Sequence, residues 1–199
     1  MLMICQTLVL SGQAGFEQYY YLQDKKPGIL VPIIHIQNKK NWYAEGRYNY
    51  EELRSFSLYF GKNFSRENTR LSYSLTPILG GIIGRLRGGS AGINANVEYG
   101  DFFFCSQSQF TFTPKASENN FAFSWSDAGY QPFSWFYFGL SVQQTHYTKS
   151  NCDVQDRGMV IGFIAGKWTL PMYGFSLQSN RRYFVIGINL GLGTTKTHL

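Results

Sequence analysis

The chain has 199 residues, about one domain's worth, with 14 Tyr, 17 Phe, 4 Trp and 21 Gly against only 15% charged residues. That mixture excludes intrinsic disorder, which needs few aromatics and many charges, and argues against a helical bundle, because aromatics favour strands and Gly interrupts helices. The net charge of +6 does not imply nucleic acid: the cations are scattered beside turn residues, as at Lys25-Lys26, Lys39-Lys40, Arg85, Arg87, Lys149 and Arg181-Arg182, so no nucleic-acid partner is expected.

From the amino end, Met1 to Leu10 is apolar and runs into Ser11-Gly12-Gln13-Ala14, small residues suited to cleavage after Ala14. Residues 1–14 read as a truncated signal peptide, without the basic n-region, and 15–199 as a single domain. Thereafter the period is two, so successive side chains point to opposite faces. Trp42, Ala44, Gly46, Tyr48 and Tyr50 alternate with Tyr43, Glu45, Arg47, Asn49 and Glu51. Phe56, Leu58 and Phe60 oppose Ser55, Ser57 and Tyr59; Leu71, Tyr73 and Leu75 oppose Ser72, Ser74 and Thr76; Ile93, Ala95 and Val97 oppose Asn94, Asn96 and Glu98. Further on, Phe121, Phe123 and Trp125 oppose Ala122, Ser124 and Ser126, and the alternation continues through Phe136–Gln143, Gly158–Ala165 and Phe184–Leu192.

Strands are predicted to begin near Gly28, Trp42, Arg54, Arg70, Ile78, Ala91, Phe102, Asn119, Ser134, Arg157, Trp168 and Arg181. Tight turns such as Glu51-Glu52, Thr76-Pro77, Gly100-Asp101 and Gly166-Lys167 alternate with longer connections, the longest being Tyr147 to Asp156. Outer-membrane barrels alternate periplasmic turns with extracellular loops in this way. If Pro77 is instead a bulge in one long strand, another strand is required, and Glu17 to Leu22 is the place for it; ten is the next even number.

No segment reads as a membrane-spanning helix, since the longest uncharged run, Ala128 to Thr148, is broken by Gly129, Gln131, Pro132, Gly139, Gln143 and Gln144. The mean hydropathy of −0.21 suits a soluble protein and equally a barrel whose inner faces are polar. Three features favour the barrel: a heavy apolar face on nearly every strand, an opposite face of Ser, Thr, Asn, Gln and Gly, and aromatics near strand ends. Those aromatics are Trp42, Tyr48, Tyr50, Tyr99, Trp125, Tyr130, Trp135, Tyr147, Trp168 and Tyr183, and Tyr and Trp favour the bilayer interface. A sheet entering hydrocarbon must close, because each unpaired amide there costs several kcal/mol. The expected fold class is therefore all-β, a closed antiparallel transmembrane β-barrel of about 12 strands, with a backbone diameter of about 24 Å. The competing reading is a secreted soluble β-sandwich acting as a binding module.

The chain resembles small, uncharacterised outer-membrane β-barrel proteins of Gram-negative bacteria. The resemblance rests on Trp42-Tyr43-Ala44-Glu45-Gly46-Arg47-Tyr48-Asn49-Tyr50, on Leu58-Tyr59-Phe60-Gly61-Lys62, on Ser74 through Thr76-Pro77 to Gly80-Gly81, and on Tyr183 to Asn189. It covers the chain from about Gly28 onward as a pattern rather than one diagnostic motif. It implies an outer-membrane location, the lipid bilayer and the outer-membrane assembly machinery as partners, and no particular activity. One departure is that the chain continues past Leu192 to Leu199 instead of ending on a terminal aromatic.

Catalytic constellations are absent from the sequence, and no enzyme is expected. His35, His146 and His198 are isolated, and the His-x-Ser arrangement of outer-membrane phospholipases is missing because Tyr147 and Thr148 follow His146. Gly80-Gly81-Ile82-Ile83-Gly84 lacks the Lys-Ser/Thr of a phosphate loop. Glu51-Glu52 sit in a turn and point apart, so they make no glycosidase pair. Cys5, Cys105 and Cys152 form no metal-spaced cluster, so neither metal nor cofactor is expected; Cys105 and Cys152 read as unpaired thiols, with one disulfide between them left open. The one constellation of interest is the inward polar set Glu45, Arg47, Asn49, Asn94, Asn96, Glu98, Gln107 and Gln109, with Tyr43, Tyr59 and Tyr137 beside it. It reads either as a salt-bridged filling of the lumen or as a constriction selecting small polar solutes. The functional expectation is thus a narrow porin-like channel or a structural surface protein, or a barrel whose loops, Tyr147 to Asp156 above all, bind a partner.

Overall fold

The structure, a computed structural model, describes residues 13–24, 26–114, 120–148 and 152–192, the side chains of Gln13 and Cys152 excepted. Its strands are β1 (Gln13–Gln23), β2 (Ile29–Gln37), β3 (Trp42–Tyr48), β4 (Ser55–Lys62), β5 (Phe64–Glu67), β6 (Leu71–Gly84), β7 (Gly88–Tyr99), β8 (Phe102–Phe112), β9 (Phe121–Phe133), β10 (Phe136–Tyr147), β11 (Cys152–Ala165), β12 (Trp168–Phe175) and β13 (Tyr183–Gly191). Each pairs antiparallel with its sequence neighbours, except that β6 takes both β4 and β5. The register is the same on both sides of Asn63, Gly61 facing Ile78 and Phe64 facing Leu75, so β4 and β5 form one interrupted strand. β1 pairs with β13, Gly15 opposite Gly191, and the sheet closes as a twelve-strand antiparallel barrel with no free edge. Closure excludes the β-sandwich reading.

The count of twelve is reached by a different route from the predicted starts. Thr76-Pro77 is not a turn: β6 runs unbroken from Leu71 to Gly84, with Pro77 opposite Ile93. The further strand this requires is β1, which contains Glu17 to Leu22. β11 begins at Cys152, not near Arg157, because Tyr147 pairs directly with Cys152. Half of the expected long Tyr147–Asp156 loop is thereby strand, since Cys152 to Asp156 belong to β11. The proposed signal peptide lies largely outside the described residues, though Gln13 and Ala14 already belong to β1. His198, Cys5 and the tail beyond Leu192 also lie outside them. Cys105 is disulfide-bonded, contrary to the expected free thiol.

The two ends of the barrel differ. At one end the turns are short, 38–41, 68–70, 100–101, 134–135 and 166–167, and both ends of the described barrel, Gln13 and Gly191, lie there. At the other lie 24–28, 49–54, 113–120 and 176–182, with the shorter 85–87 and 148–151. The outward face carries an apolar belt: Leu79, Ile83 and Leu140 are each about two-thirds exposed (68%, 66% and 65%), and Phe60, Met159, Ile34 and Phe184 are at least half exposed. Such a belt is stable only where an apolar solvent covers it. Three of the four tryptophans, Trp42, Trp135 and Trp168, stand exposed at the short-turn rim, the position that amphipathic indoles take at a bilayer interface.

One strand exchanges its faces relative to expectation. On β9 the bulky residues Phe121 and Trp125 are buried inside, while Ala122, Ser124 and Ser126 face out. Tyr183 and Tyr50 likewise point inward rather than to the rim. The interior is thus far more aromatic than a wet pore requires, and glycines make room for it. Tyr19 faces Gly187, Tyr59 faces Gly80, Phe103 faces Gly129, Tyr137 faces Gly162 and Phe175 faces Gly158. A Cβ on Gly162 would lie 2.0 Å from Cζ of Tyr137, and one on Gly129 2.5 Å from Cζ of Phe103, so each ring occupies the space its partner strand leaves empty.

Candidate functional site

The lumen holds two chemically distinct regions. The first is built on β3, whose inward positions are Tyr43, Glu45 and Arg47, all buried. Arg47 is completely enclosed. Its Nε donates to Glu45, and its Nη1 donates to Gln109 Oε1 across the lumen at 2.7 Å and to Glu51 Oε1 at 3.4 Å. The guanidinium carbon stacks over the rings of Tyr59 and Tyr50, 4.4 and 4.5 Å from their centroids. The Tyr43 hydroxyl donates to the same Glu45 carboxylate.

Glu51 reaches this cluster because the 49–54 connection folds into the barrel. Ser57 Oγ and Tyr59 Oη donate to its two oxygens at 2.7 and 2.8 Å. Tyr50, from the same loop, donates to Gln107 and packs edge-on against Phe123 on the far wall, 5.7 Å between centroids. Asn49 holds the fold of the loop: at φ 59°, it donates to the Leu30 carbonyl and accepts from the Arg54 amide at 2.9 and 2.7 Å. Asn tolerates this left-handed conformation better than most residues.

The second region lies between β1 and the β8–β13 wall. Trp125 packs on Tyr19, Tyr173 and Phe175 at centroid distances of 5.4, 5.1 and 6.4 Å. Asp127 accepts from Trp125 Nε1 at 3.1 Å, from Ser141 Oγ at 2.5 Å and from Tyr173 Oη at 3.2 Å. Glu17 accepts from Tyr19 Oη at 2.8 Å and lies 3.6 Å from Nδ1 of His35. A cavity of about 80 Å³ opens beside these groups, lined by six aromatic rings, two carboxylates and several amides. It has room for several waters or one small solute.

Of the eight residues predicted from sequence, Glu45, Arg47, Asn94, Asn96 and Gln109 are buried in the interior. Gln107 joins the cavity lining, and Glu98 is half-buried opposite inward Ser72. Asn49 departs from the expectation, since it ends in the loop with its side chain spent on backbone. Glu45, Arg47 and Gln109 come together in one cluster; Asn94, Asn96 and Gln107 line the cavity beside it. Sequence reasoning missed Glu17, Glu51, Tyr50 and Asp127. A lone carboxylate flanked by uncharged strand residues, as in Trp125-Ser126-Asp127-Ala128, is the signal that marks such a lumen group, because the lipid face rejects it. Among the described residues no group of His, Cys, Asp and Glu could hold a metal ion.

No protein-family model and no curated protein matches the chain. Solved structures do. A KdgM porin superposes with a TM-score of 0.63 over 88% of this chain and 98% of that one, at 9% identity. A KdgM porin in complex with disordered oligogalacturonate gives 0.61 over 91% and 99%, at 9% identity, and a NanC porin gives 0.56 over 91% and 100%, at 8% identity. This chain therefore shares the barrel fold of these porins over nearly their whole length, with almost none of their sequence.

Proposed function

We propose that the protein is a porin-like barrel of a Gram-negative outer membrane that provides a narrow water path for small polar solutes, without catalysis. The observation that carries this reading is a closed barrel, apolar outside, whose interior nonetheless holds buried charges and a polar-lined cavity. Such groups have no role in a packed soluble core but suit a confined path for water and solute. The short-turn end, with its tryptophan rim, faces the periplasm; the longer connections face outward. The inserted 49–54 loop sets the constriction, because Tyr50 reaches across to Gln107 and Phe123.

The neighbour's oligogalacturonate, a polyanion, does not transfer to this chain. Glu17, Glu45, Glu98, Asp127 and Asp156 line the interior, with Glu51 folded in from its loop. Among the described residues Arg47 is the one guanidinium or ammonium among them, and Glu45 and Glu51 already engage it. In planar bilayers the purified, heat-modifiable barrel is expected to give small conductance steps, and Tyr50→Ala should enlarge them at least twofold. A folded barrel with no conductance in either form would refute the channel.

A further inference from the structure

We propose that the cavity beside Trp125 is a binding site for a small protonated amine. This rests on the channel reading and names the class of solute the path favours. Among the described residues the cavity lining supplies two carboxylates, Glu17 and Asp127, and no Lys, Arg or His. The nearest guanidinium, Arg47, is committed to Glu45, Glu51 and Gln109. An anion entering here meets two carboxylates, of which Glu17 alone has a base beside it, His35 at 3.6 Å and outside the lining, and like charge in a weakly solvated space is strongly unfavourable.

The neutral lining groups point to the same ligand. Asn94 is only 3% exposed and lines the cavity, yet neither its Oδ1 nor its Nδ2 has a partner; Asn189 Oδ1 is similarly unpartnered. A buried amide oxygen without a donor is costly, and an ammonium offers three N–H donors with no acceptor of its own. Tyr19, Trp125, Tyr137 and Tyr173 contribute rings to the same wall, and aromatic faces attract cations. Asp127 is pre-set by donors from Trp125, Ser141 and Tyr173. A carboxylate has about four lone-pair positions, so it keeps capacity for a charged donor. The chemistry therefore selects an amine carrying a hydroxyl or similar acceptor, which the unpartnered Nδ2 of Asn94 and Nε2 of Gln107 can meet.

Ethanolamine, ethylene glycol and glycolate are near-equal in size and differ in charge, which makes them the matched probes. The full chain, folded in detergent, is titrated with each by calorimetry at neutral pH and low salt, with conductance recorded on the same preparation. Ethanolamine is expected to bind at least tenfold more tightly than ethylene glycol, and glycolate not measurably. Asp127→Asn should weaken ethanolamine binding at least tenfold and Asn94→Leu severalfold, with heat-modifiable gel mobility retained. Equal binding of the three probes, preference for glycolate, or undiminished binding by a folded Asp127→Asn barrel would overturn the site. Should Asp127→Asn fail to fold, the order of the three probes on the unaltered chain and the Asn94→Leu result decide. Binding without conductance removes the channel and leaves the amine site; conductance without charge preference does the reverse.

Discussion

The two halves of the lumen handle buried polarity in opposite ways. Around β3 the one guanidinium is matched against two carboxylates, two tyrosine rings and an amide, so the charges there are paired and only donors, Arg47 Nη2 and Gln109 Nε2, are left without a partner. Around Trp125 the carboxylate of Asp127 has neutral donors only, and Asn94 has none. The first arrangement has its charges balanced without a ligand and fills space. The second is complete only when something else supplies a donor or water does. Charge in a lumen is therefore no guide to where a solute sits; a carboxylate or amide oxygen left without a cationic partner is.

Stability separates the halves most sharply. Arg47→Leu strands Glu45 and Glu51 in an interior with no other guanidinium or ammonium among the described residues, and removing one partner of a buried ion pair costs about 3–5 kcal/mol. Asp127→Asn keeps an acceptor for Trp125 and Ser141, which share Oδ1, and turns an amide donor toward the Tyr173 hydroxyl, which can accept it, so its cost is about 1 kcal/mol. Urea unfolding of the detergent-folded barrel, followed by tryptophan fluorescence, measures both. If Asp127→Asn proves the more damaging, the charge-paired and unpaired halves have been assigned the wrong way round.

The next effect tests how the aromatic half is packed. Gly162→Ala pushes a methyl into the Tyr137 ring, which is itself held edge-on against Phe103 at 5.6 Å. Overpacking of this kind costs about 1–3 kcal/mol. Gly81 has no atom within 4 Å of the corresponding position, so Gly81→Ala should be neutral or slightly stabilising in the same assay. Equal responses at the two sites would mean that the rings do not depend on the facing glycines.

Much of this architecture is legible in the residues, and its failures have physical causes. Alternation over Trp42–Tyr48, Ser55–Lys62 and Gly88–Tyr99 identifies strands and their inward members correctly, because there one face is plainly polar and the other plainly apolar. Pro77 misleads because proline reads as a turn, yet it sits with its side chain outward in a long strand flanked by β-formers Thr76 and Ile78. Across Phe121–Trp125 the rule that the bulkier face meets lipid inverts the strand, since this lumen is itself lined with rings. Orientation there is set by register with β8, Trp125 opposite Gln107 and Ser126 opposite Ser106, and register is a property of two strands that neither sequence displays alone. The insertion of Tyr50 and Glu51 is invisible for a similar reason: a loop's direction depends on what the opposite wall offers it.

That inversion leaves four hydroxyls on the outer face. Ser106, Ser108, Ser124 and Ser126 form a closed ring of contacts at 3.3, 2.9, 3.0 and 3.4 Å. Each serine has two neighbours, so the group satisfies itself where no water is at hand, in the manner of the β3 cluster but without charge. Ser126→Ala removes one member and leaves Ser106 and Ser124 each with a single partner, at a cost of about 0.5–1.5 kcal/mol. Replacing all four by Ala removes every unmet group together and should cost less than the single change, since deleting both partners of a buried hydrogen bond is close to neutral. Thermal unfolding of the two variants gives the comparison directly. A quadruple variant markedly weaker than Ser126→Ala would mean the hydroxyls are engaged with something beyond one another, and that this patch, like the cavity beside Asn94, awaits a partner.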